Sequence, residues 1–319
     1  MKVSKKVVST LAASLFLSTV LQTSSTVQAT EQNIPTETMQ DANYTAKVVE
    51  SVTGLSDIIK TEETTTDSIA VVQNESGEVQ VPQSPETDPI VLNNRGENLE
   101  MTLPDVGLQD AVKTKNGTIV YPGETESVDL SVQPTEEGVR SLITIHDNTA
   151  PHEYAFEVNL PEGHRLVSSA EYLGAEFDTG EVYTVDENNI IQSTFAPAWA
   201  KDANGQPVAT HYKVEGNQLI QVVEFNENTA FPVVADPDWG KIARCASALA
   251  VFVGSNLVAV SKILKAKKYI QALGGFRKSA ELLLKASTWE ERLNVGGTAL
   301  ANLGAIVFGT DQVNRHCRP

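Results

Sequence analysis

Residues 245–278 read CASALAVFVGSNLVAVSKILKAKKYIQALGGFRK. Seventeen uncharged residues, Cys245–Ser261, run into a cluster of lysines. Three structures fit such a run: a membrane anchor, the core helix of a small folded domain, or a cationic helix that acts on membranes. The anchor is the weakest. Ser247, Gly254, Ser255, Asn256 and Ser261 interrupt the run, and a span needs ~20 predominantly apolar residues. Ile242, Ala246, Leu249, Val253, Leu257, Val260 and Leu264 recur at spacings of three and four. That period predicts one helix, stopped by Gly274-Gly275. A second amphipathic helix is expected over Phe276–Ala286. Thr288-Trp289-Glu290-Glu291 then fits a capping box, in which Thr288 caps the helix and Glu291 reaches back. A last helix, Glu291–Phe308, places Leu293, Leu300 and Val307 at heptad spacing. Its Gly297, Ala301 and Gly304 form a small-residue seam open to close approach by another helix.

The charge distribution sets this segment apart. Lys241–Pro319 holds 12 Lys and Arg against 4 Asp and Glu, a net +8. Residues 30–240 hold 9 basic and 37 acidic residues, a net −28. Such a split implies that the two parts face different partners, or each other. Lys262, Lys265, Lys267, Lys268, Arg277, Lys278 and Lys285 are the candidate contacts to an anionic membrane surface. The acidic region is the candidate intramolecular partner that masks them. A solvated lysine face is the simpler alternative.

The first residues, MKVSKKVVSTLAASLFLSTVLQTSSTVQA, have the order of a secretory signal peptide. Lys2, Lys5 and Lys6 precede a short apolar run, and Val27-Gln28-Ala29 offers small residues for cleavage. Secretion puts Cys245 and Cys317, the two cysteines of the chain, in an oxidising setting. A disulfide between them would join the first helix of the basic segment to its end.

Residues 30–97 are rich in Thr, Ser, Glu, Asp and Gln, as in TEETTTDS and VPQSPETDP. This composition reads as a mostly disordered acidic linker, with one short helix near Asn43–Ile59. Strand signals begin near residue 98. Val128, Leu130 and Val132 alternate in SVDLSV, and Tyr154, Phe156, Val158 and Leu160 alternate in EYAFEVNL. Period two marks half-buried strands. Turn signals at Asn116-Gly117, Pro122-Gly123, Asn204-Gly205 and Gly216-Asn217 separate many such runs, as in an antiparallel sandwich. The expected plan is multidomain α and β. It comprises a signal peptide at 1–29, a linker at 30–97, an antiparallel β-sandwich at 98–237 and a small disulfide-closed helical bundle at 238–319.

The signatures PAWAKDANG, PVATHY and FPVVADP lie within Phe195–Gly240. They resemble a recurrent module of uncharacterised secreted proteins from Gram-positive-type bacteria. The resemblance implies secretion and a β-rich architecture, and transfers no catalytic residue. Within it, Trp199, Tyr212 and Phe231 are expected to fill or cap the core. A binding surface made by Trp199 and Trp239 is the alternative. The basic segment is similar to helical-bundle bacteriocins in composition only.

Motifs for chemistry are sparse. No G-x-S-x-G, H-E-x-x-H or phosphate-cradling loop is present. His146, Asp147, His152 and Glu153 match no standard metal spacing, and the Asp186–Asn189 and Asp202–Asn204 stretches read as turns. No cofactor, no metal and no nucleic acid partner is expected, since the basic residues interleave with alanine and leucine rather than stacking aromatics. No wall-sorting tail is visible in DQVNRHCRP, so release or loose surface association is expected. The functional reading is a secreted, non-enzymatic protein with a membrane-active, bacteriocin-like cationic part. The alternative is a structural or adhesive envelope-associated protein. An enzyme ranks third.

Overall fold

The structure is a computed structural model. It describes residues 36–60, 64, 67–75, 77–86, 88–94, 97–136, 138–241, 244–255 and 258–317. The signal peptide read at 1–29 lies outside them. A helix, α1 (Thr36–Thr53), precedes four strands: β1 (Ser68–Asn74), β2 (Gly77–Pro82), β3 (Ile90–Asn94) and β4 (Glu97–Thr102). Next come β5 (Val112–Lys113), β6 (Ile119–Tyr121), β7 (Val128–Pro134), β8 (Val139–Ile145), β9 (Glu153–Asn159) and β10 (Arg165–Ser168). A short helix, α2 (Ser169–Leu173), leads to β11 (Val182–Val185), β12 (Ile191–Phe195), β13 (Trp199–Lys201), β14 (Ala209–Glu215), β15 (Gln218–Glu224), β16 (Val233–Asp236) and β17 (Asp238–Lys241). The last five helices are α3 (Arg244–Gly254), α4 (Val260–Leu273), α5 (Phe276–Leu284), α6 (Trp289–Val307) and α7 (Asp311–His316).

The strands form two antiparallel sheets. The first has the order β1-β2-β3-β4-β9-β15-β14, and the second β10-β11-β12-β17-β8-β7-β6-β5, with β16 bridging β8 and β13. They pack sandwich-like around one core. Val79, Val81, Ile90, Leu92, Met101, Phe156 and Leu219 come from the first sheet, and Ile119, Leu130, Val132, Ile143, Phe195 and Trp239 from the second.

Residues 36–94 depart from the disordered linker expected there. They form α1 and three strands of the first sheet. The polar average of this region conceals three short apolar runs, SIAVVQN, GEVQVP and IVLNN, whose Ile69, Val72, Val79, Val81, Ile90 and Leu92 are all buried. Each run alone is too small to order itself, but side by side they close one end of the core.

The second sheet is covered on both faces. Its inner face meets the first sheet. Its outer face receives α1 at one end, through Ala42 and Ala46 against Val112 and Val120, and through Val49 against Leu142 and Val234. This explains β7. The alternation of Val128, Leu130 and Val132 predicts a half-buried strand, yet every residue of β7 is buried. Asp129 on its outer face accepts a hydrogen bond from the Thr45 hydroxyl of α1 and stands 2.9 Å from His146 Nε2. β9 keeps the expected alternation of buried and exposed residues.

The other end of that outer face belongs to the C-terminal helices. Val167, Tyr183, Val185 and Ile191 of the sheet share a second core with Leu249, Phe252, Ile270, Phe276, Leu283, Leu300 and Val307. The helices and sheet thus share a core across the boundary expected at 237/238. The single long helix expected through Leu264 is broken into α3 and α4, because Gly254 and Ser255 supply neither helix propensity nor apolar packing. The disulfide forms as expected: Cys245 and Cys317 are bonded and fully buried, with Cα atoms 4.7 Å apart. No helix among the described residues is long and apolar enough to cross a membrane.

Candidate functional site

The helical layer is fastened to the second sheet by a carboxylate. Glu181 immediately precedes β11 and is buried against the start of α5. Its Oε2 accepts from the Phe276 backbone N–H at 3.1 Å, the Tyr183 hydroxyl at 2.6 Å and the Thr179 hydroxyl at 3.1 Å. A carboxylate suits the unsatisfied N–H groups and positive end of a helix. Gly275 makes the approach possible. Its φ is +101°, and a Cβ there would stand 2.2 Å from Glu181 Cδ. Burial raises the Glu181 pKa, against the pull of its donors. Phe276 then packs edge-on between Tyr172 and Tyr183, with ring centroids 6.3 Å and 5.9 Å away.

The seven expected cations divide into two sets. Lys267 and Arg277 face the sheet side. Lys267 donates to the Leu173 carbonyl and lies over the Phe177 ring, while Arg277 Nη1 is 3.5 Å from Asp238 Oδ1. Lys278 is exposed and pairs with Glu281 at 2.8 Å. Lys262, Lys265, Lys268 and Lys285 are exposed, with no acidic partner among the described residues. The acidic part of the chain therefore engages two of the seven directly.

One lysine of α4 continues an exposed apolar row. Val260, Leu264 and Lys268 follow at i, i+4 and i+8, so they line one strip of the helix. Val260 is 71% exposed and Leu264 46% exposed. Lys265 follows Leu264 at the edge of the strip, whereas Lys262, two residues from both Val260 and Leu264, projects to the other side, where Ala266 and Ile270 are buried. This is a cationic helix with two aliphatic side chains, Val260 and Leu264, turned outward while Ile263, Ile270 and Leu273 pack inward.

A second apolar surface lies on α6, which packs against α4. The capping box forms as expected: Glu291 N–H donates to Thr288 Oγ1, and Glu291 Oε2 accepts from the Thr288 backbone. The heptad expected across α6 does not persist. Gly297 has φ +64° and ψ −160°, which breaks the helix. The first half folds back, and the Arg292 guanidinium sits 4.4 Å from the centroid of the Phe308 ring. Sixteen residues of straight helix would separate those positions by about 24 Å. Arg292 also donates to the Ala286 and Ser287 carbonyls and fills the space over Gly304. An arginine thus occupies the seam expected to take a helix. Trp289, Leu293 and Val295 of the folded-back half are exposed. A helix terminus with exposed indole and aliphatic side chains, on the same helical layer as the α4 lysines, can engage a surface that is anionic outside and apolar within.

Other candidates resolve as structure. His152 stacks on Phe225 at 4.0 Å and engages the Val223 carbonyl, and His146 belongs to the Asp129 contact. No metal-binding group of His, Cys, Asp and Glu occurs among the described residues. Asp186 and Asp202 each accept two backbone N–H groups, as turn residues do. Trp239 is fully buried beside Phe195, so it cannot join Trp199 in a binding surface. A cavity of about 430 Å³ opens where the sheets diverge, lined by Asn98, Asn159, His164, Thr184, Gln192 and Ser193 among others.

Sequence reasoning missed Glu181 and Asp236, and read Tyr212 as a core residue without its hydrogen bond to Asp236. The deciding partners, Phe276 for Glu181, Trp199 for Asp236 and Asp236 for Tyr212, lie far away along the chain. An acidic residue opening the β-branched run GEVYTV was the one local sign at Glu181. No protein-family model matches the chain, and no curated protein matches it in sequence.

Proposed function

We propose that this is a secreted, non-enzymatic protein whose disulfide-closed helical bundle binds anionic lipid surfaces, with the β-sandwich as its carrier. The observation that carries this reading is the exposed strip of Val260 and Leu264 continued by Lys268 and edged by Lys265, on a helix whose Lys262 is also exposed. Lysines bring the helix to an anionic headgroup layer, and the outward aliphatic side chains enter the acyl boundary. Trp289, also exposed, supplies a further interfacial anchor on α6. The helix lies in the interface, since α4 has neither the length nor the composition to span. Acidic masking, in this reading, is limited to Lys267 and Arg277, and the binding strip stays open. The signal peptide and the resemblance of Phe195–Gly240 to secreted bacterial modules support an extracellular location.

Co-sedimentation of the full oxidised chain with phosphatidylglycerol vesicles tests the reading. Binding is expected to anionic vesicles, to fall with added salt, and to be lost in the Lys262→Glu/Lys265→Glu/Lys268→Glu variant. Equal recovery with phosphatidylcholine vesicles, or full binding by the variant, contradicts it. A second reading, an envelope-associated binding protein, draws on the cavity between the sheets, whose largely apolar wall of Leu99, Leu160 and Pro161 carries Asn98, Glu100, Asn159 and Gln192 as polar groups that could orient a ligand. Retention on isolated cell walls by the triple variant favours that reading.

A further inference from the structure

The peptide bond between β16 and β17 is held in an unusual setting. Asp236 is 1% exposed, and the next residue is Pro237. One carboxyl oxygen of Asp236, Oδ1, accepts from the Trp199 backbone N–H at 3.3 Å. The other, Oδ2, is buried with no hydrogen-bond partner among the described residues. The Asp236 main-chain carbonyl accepts from a side chain. It takes the Tyr212 hydroxyl at 3.1 Å. On the far side of the bond, the Pro237 carbonyl accepts from Ser141 N–H at 3.0 Å. A carboxyl with one unpartnered oxygen, a carbonyl polarised by a phenol and a tertiary-amide nitrogen therefore meet at one bond. Orphaned buried carboxyl oxygens are costly and call for an explanation.

We propose that the folded chain cleaves its own Asp236–Pro237 bond. The Asp236 carboxyl oxygen attacks the main-chain carbonyl carbon of its own residue and closes a five-membered ring. The Tyr212 hydroxyl stabilises the oxygen that becomes negative in the tetrahedral intermediate. The C–N bond then breaks, and the carboxyl proton passes to the proline nitrogen, which leaves as a secondary amine. The remaining cyclic anhydride takes up one water and opens to two carboxylic acids. The net change is one peptide bond hydrolysed by one water, with no other reactant. Proline is the favourable leaving group, because its nitrogen is a secondary amine once released.

The reaction needs the neutral carboxyl. Burial and the adjacent Asp238 push Asp236 well above the usual carboxylate range, against the opposing effects of Trp199 and Arg140. Tyr212 stays a protonated donor, because burial and then the neighbouring Asp236 and Asp238 raise it. The rate is therefore highest in acid and falls as pH rises through the raised value of Asp236. The cut falls at the charge boundary and separates the acidic part from Pro237–Pro319. β17 remains paired with β12 and β8, so the halves stay together until denatured. The proposal does not rest on lipid binding, and its test contains no lipid.

Purified full chain would be held between about pH 4 and pH 8, then followed by intact mass and denaturing gel. Two fragments whose masses sum to the parent plus one water are expected, with a new N-terminus Pro-Asp-Trp-Gly. Tyr212→Phe, which keeps the ring, is expected to slow cleavage by about a hundredfold, and Asp236→Ala to abolish it. Chain unfolded in urea at the same pH is expected to cleave far more slowly than folded chain. Intact folded chain after days at the acid end overturns the proposal. So does equal cleavage by folded and urea-unfolded chain, or by Tyr212→Phe and the parent.

Discussion

The second sheet and the helical layer both bury aromatic and aliphatic side chains, but they are held by different means. The sheet is covered on both faces, by the first sheet inside and by α1 and the C-terminal helices outside. The helical layer has one covered side, a disulfide joining α3 to the residue after α7, and a carboxylate from the sheet at the start of α5. Of the eight large hydrophobic residues left exposed among the described residues, Val260, Leu264, Trp289, Leu293 and Val295 belong to the helical layer. Where apolar area is buried twice over, no staple is needed. Where it is turned outward, covalent and polar fastenings take over.

Removing a fastening should therefore affect one region more than the other. Replacing both Cys245 and Cys317 by serine opens a loop with a sequence separation of 72. The expected cost is about 4 kcal/mol in the chain-entropy model. Region-resolved hydrogen exchange should show the helices losing protection while β7 and β8 keep theirs. Simultaneous loss in both regions would break the comparison.

A smaller effect is expected from Gly275→Ala. The added methyl would collide with Glu181 in a left-handed backbone, for about 2–3 kcal/mol, read as a shift in the urea midpoint. Gly205→Ala is the control in the sheet region. Its φ is +73° with nothing within 4 Å of the new Cβ, so about 1 kcal/mol of backbone strain alone is expected.

Acid should act on the two regions with opposite sign. Burial raises Asp129, but hydrogen bonds from His146, Thr45 and Gly123 outweigh it and hold its carboxyl below the usual range. Its contribution is present above the unfolded value of ~3.9 and is lost as pH falls through the lower folded value. Glu181 is raised by burial. Its contribution is present below the unfolded value of ~4.3 and is lost as pH rises through the higher folded value. Urea midpoints across that range should lose their acid-side decline in Asp129→Asn, and their decline on rising pH in Glu181→Gln.

Much of this was legible in the chain and some was not, for identifiable reasons. The alternation in EYAFEVNL, the Thr288–Glu291 box, the Asn116-Gly117 turn and the cysteine pair are local or unique signals, and each appears where expected. The linker reading failed because composition averages over Ile69, Val79 and Ile90, which matter only once their strands pair. β7 looked half-buried because the helix that covers Asp129 lies far upstream in sequence. Of the cation cluster, the sequence located the lysines. It could not show that Lys267 turns toward Leu173 while Val260 and Leu264 turn outward, since that depends on the break after α3.

The smallest expected effect on stability separates fold from function. Leu264→Ser removes an exposed side chain, so stability should stay within about 0.5 kcal/mol. Vesicle binding should nevertheless weaken several-fold.

The most direct test of the account is hydrogen exchange on the full oxidised chain, with and without phosphatidylglycerol vesicles. The account predicts added protection over α4 and the folded-back half of α6, and none over the first sheet. Protection on the sheets, or unchanged exchange throughout at saturating lipid, would contradict it.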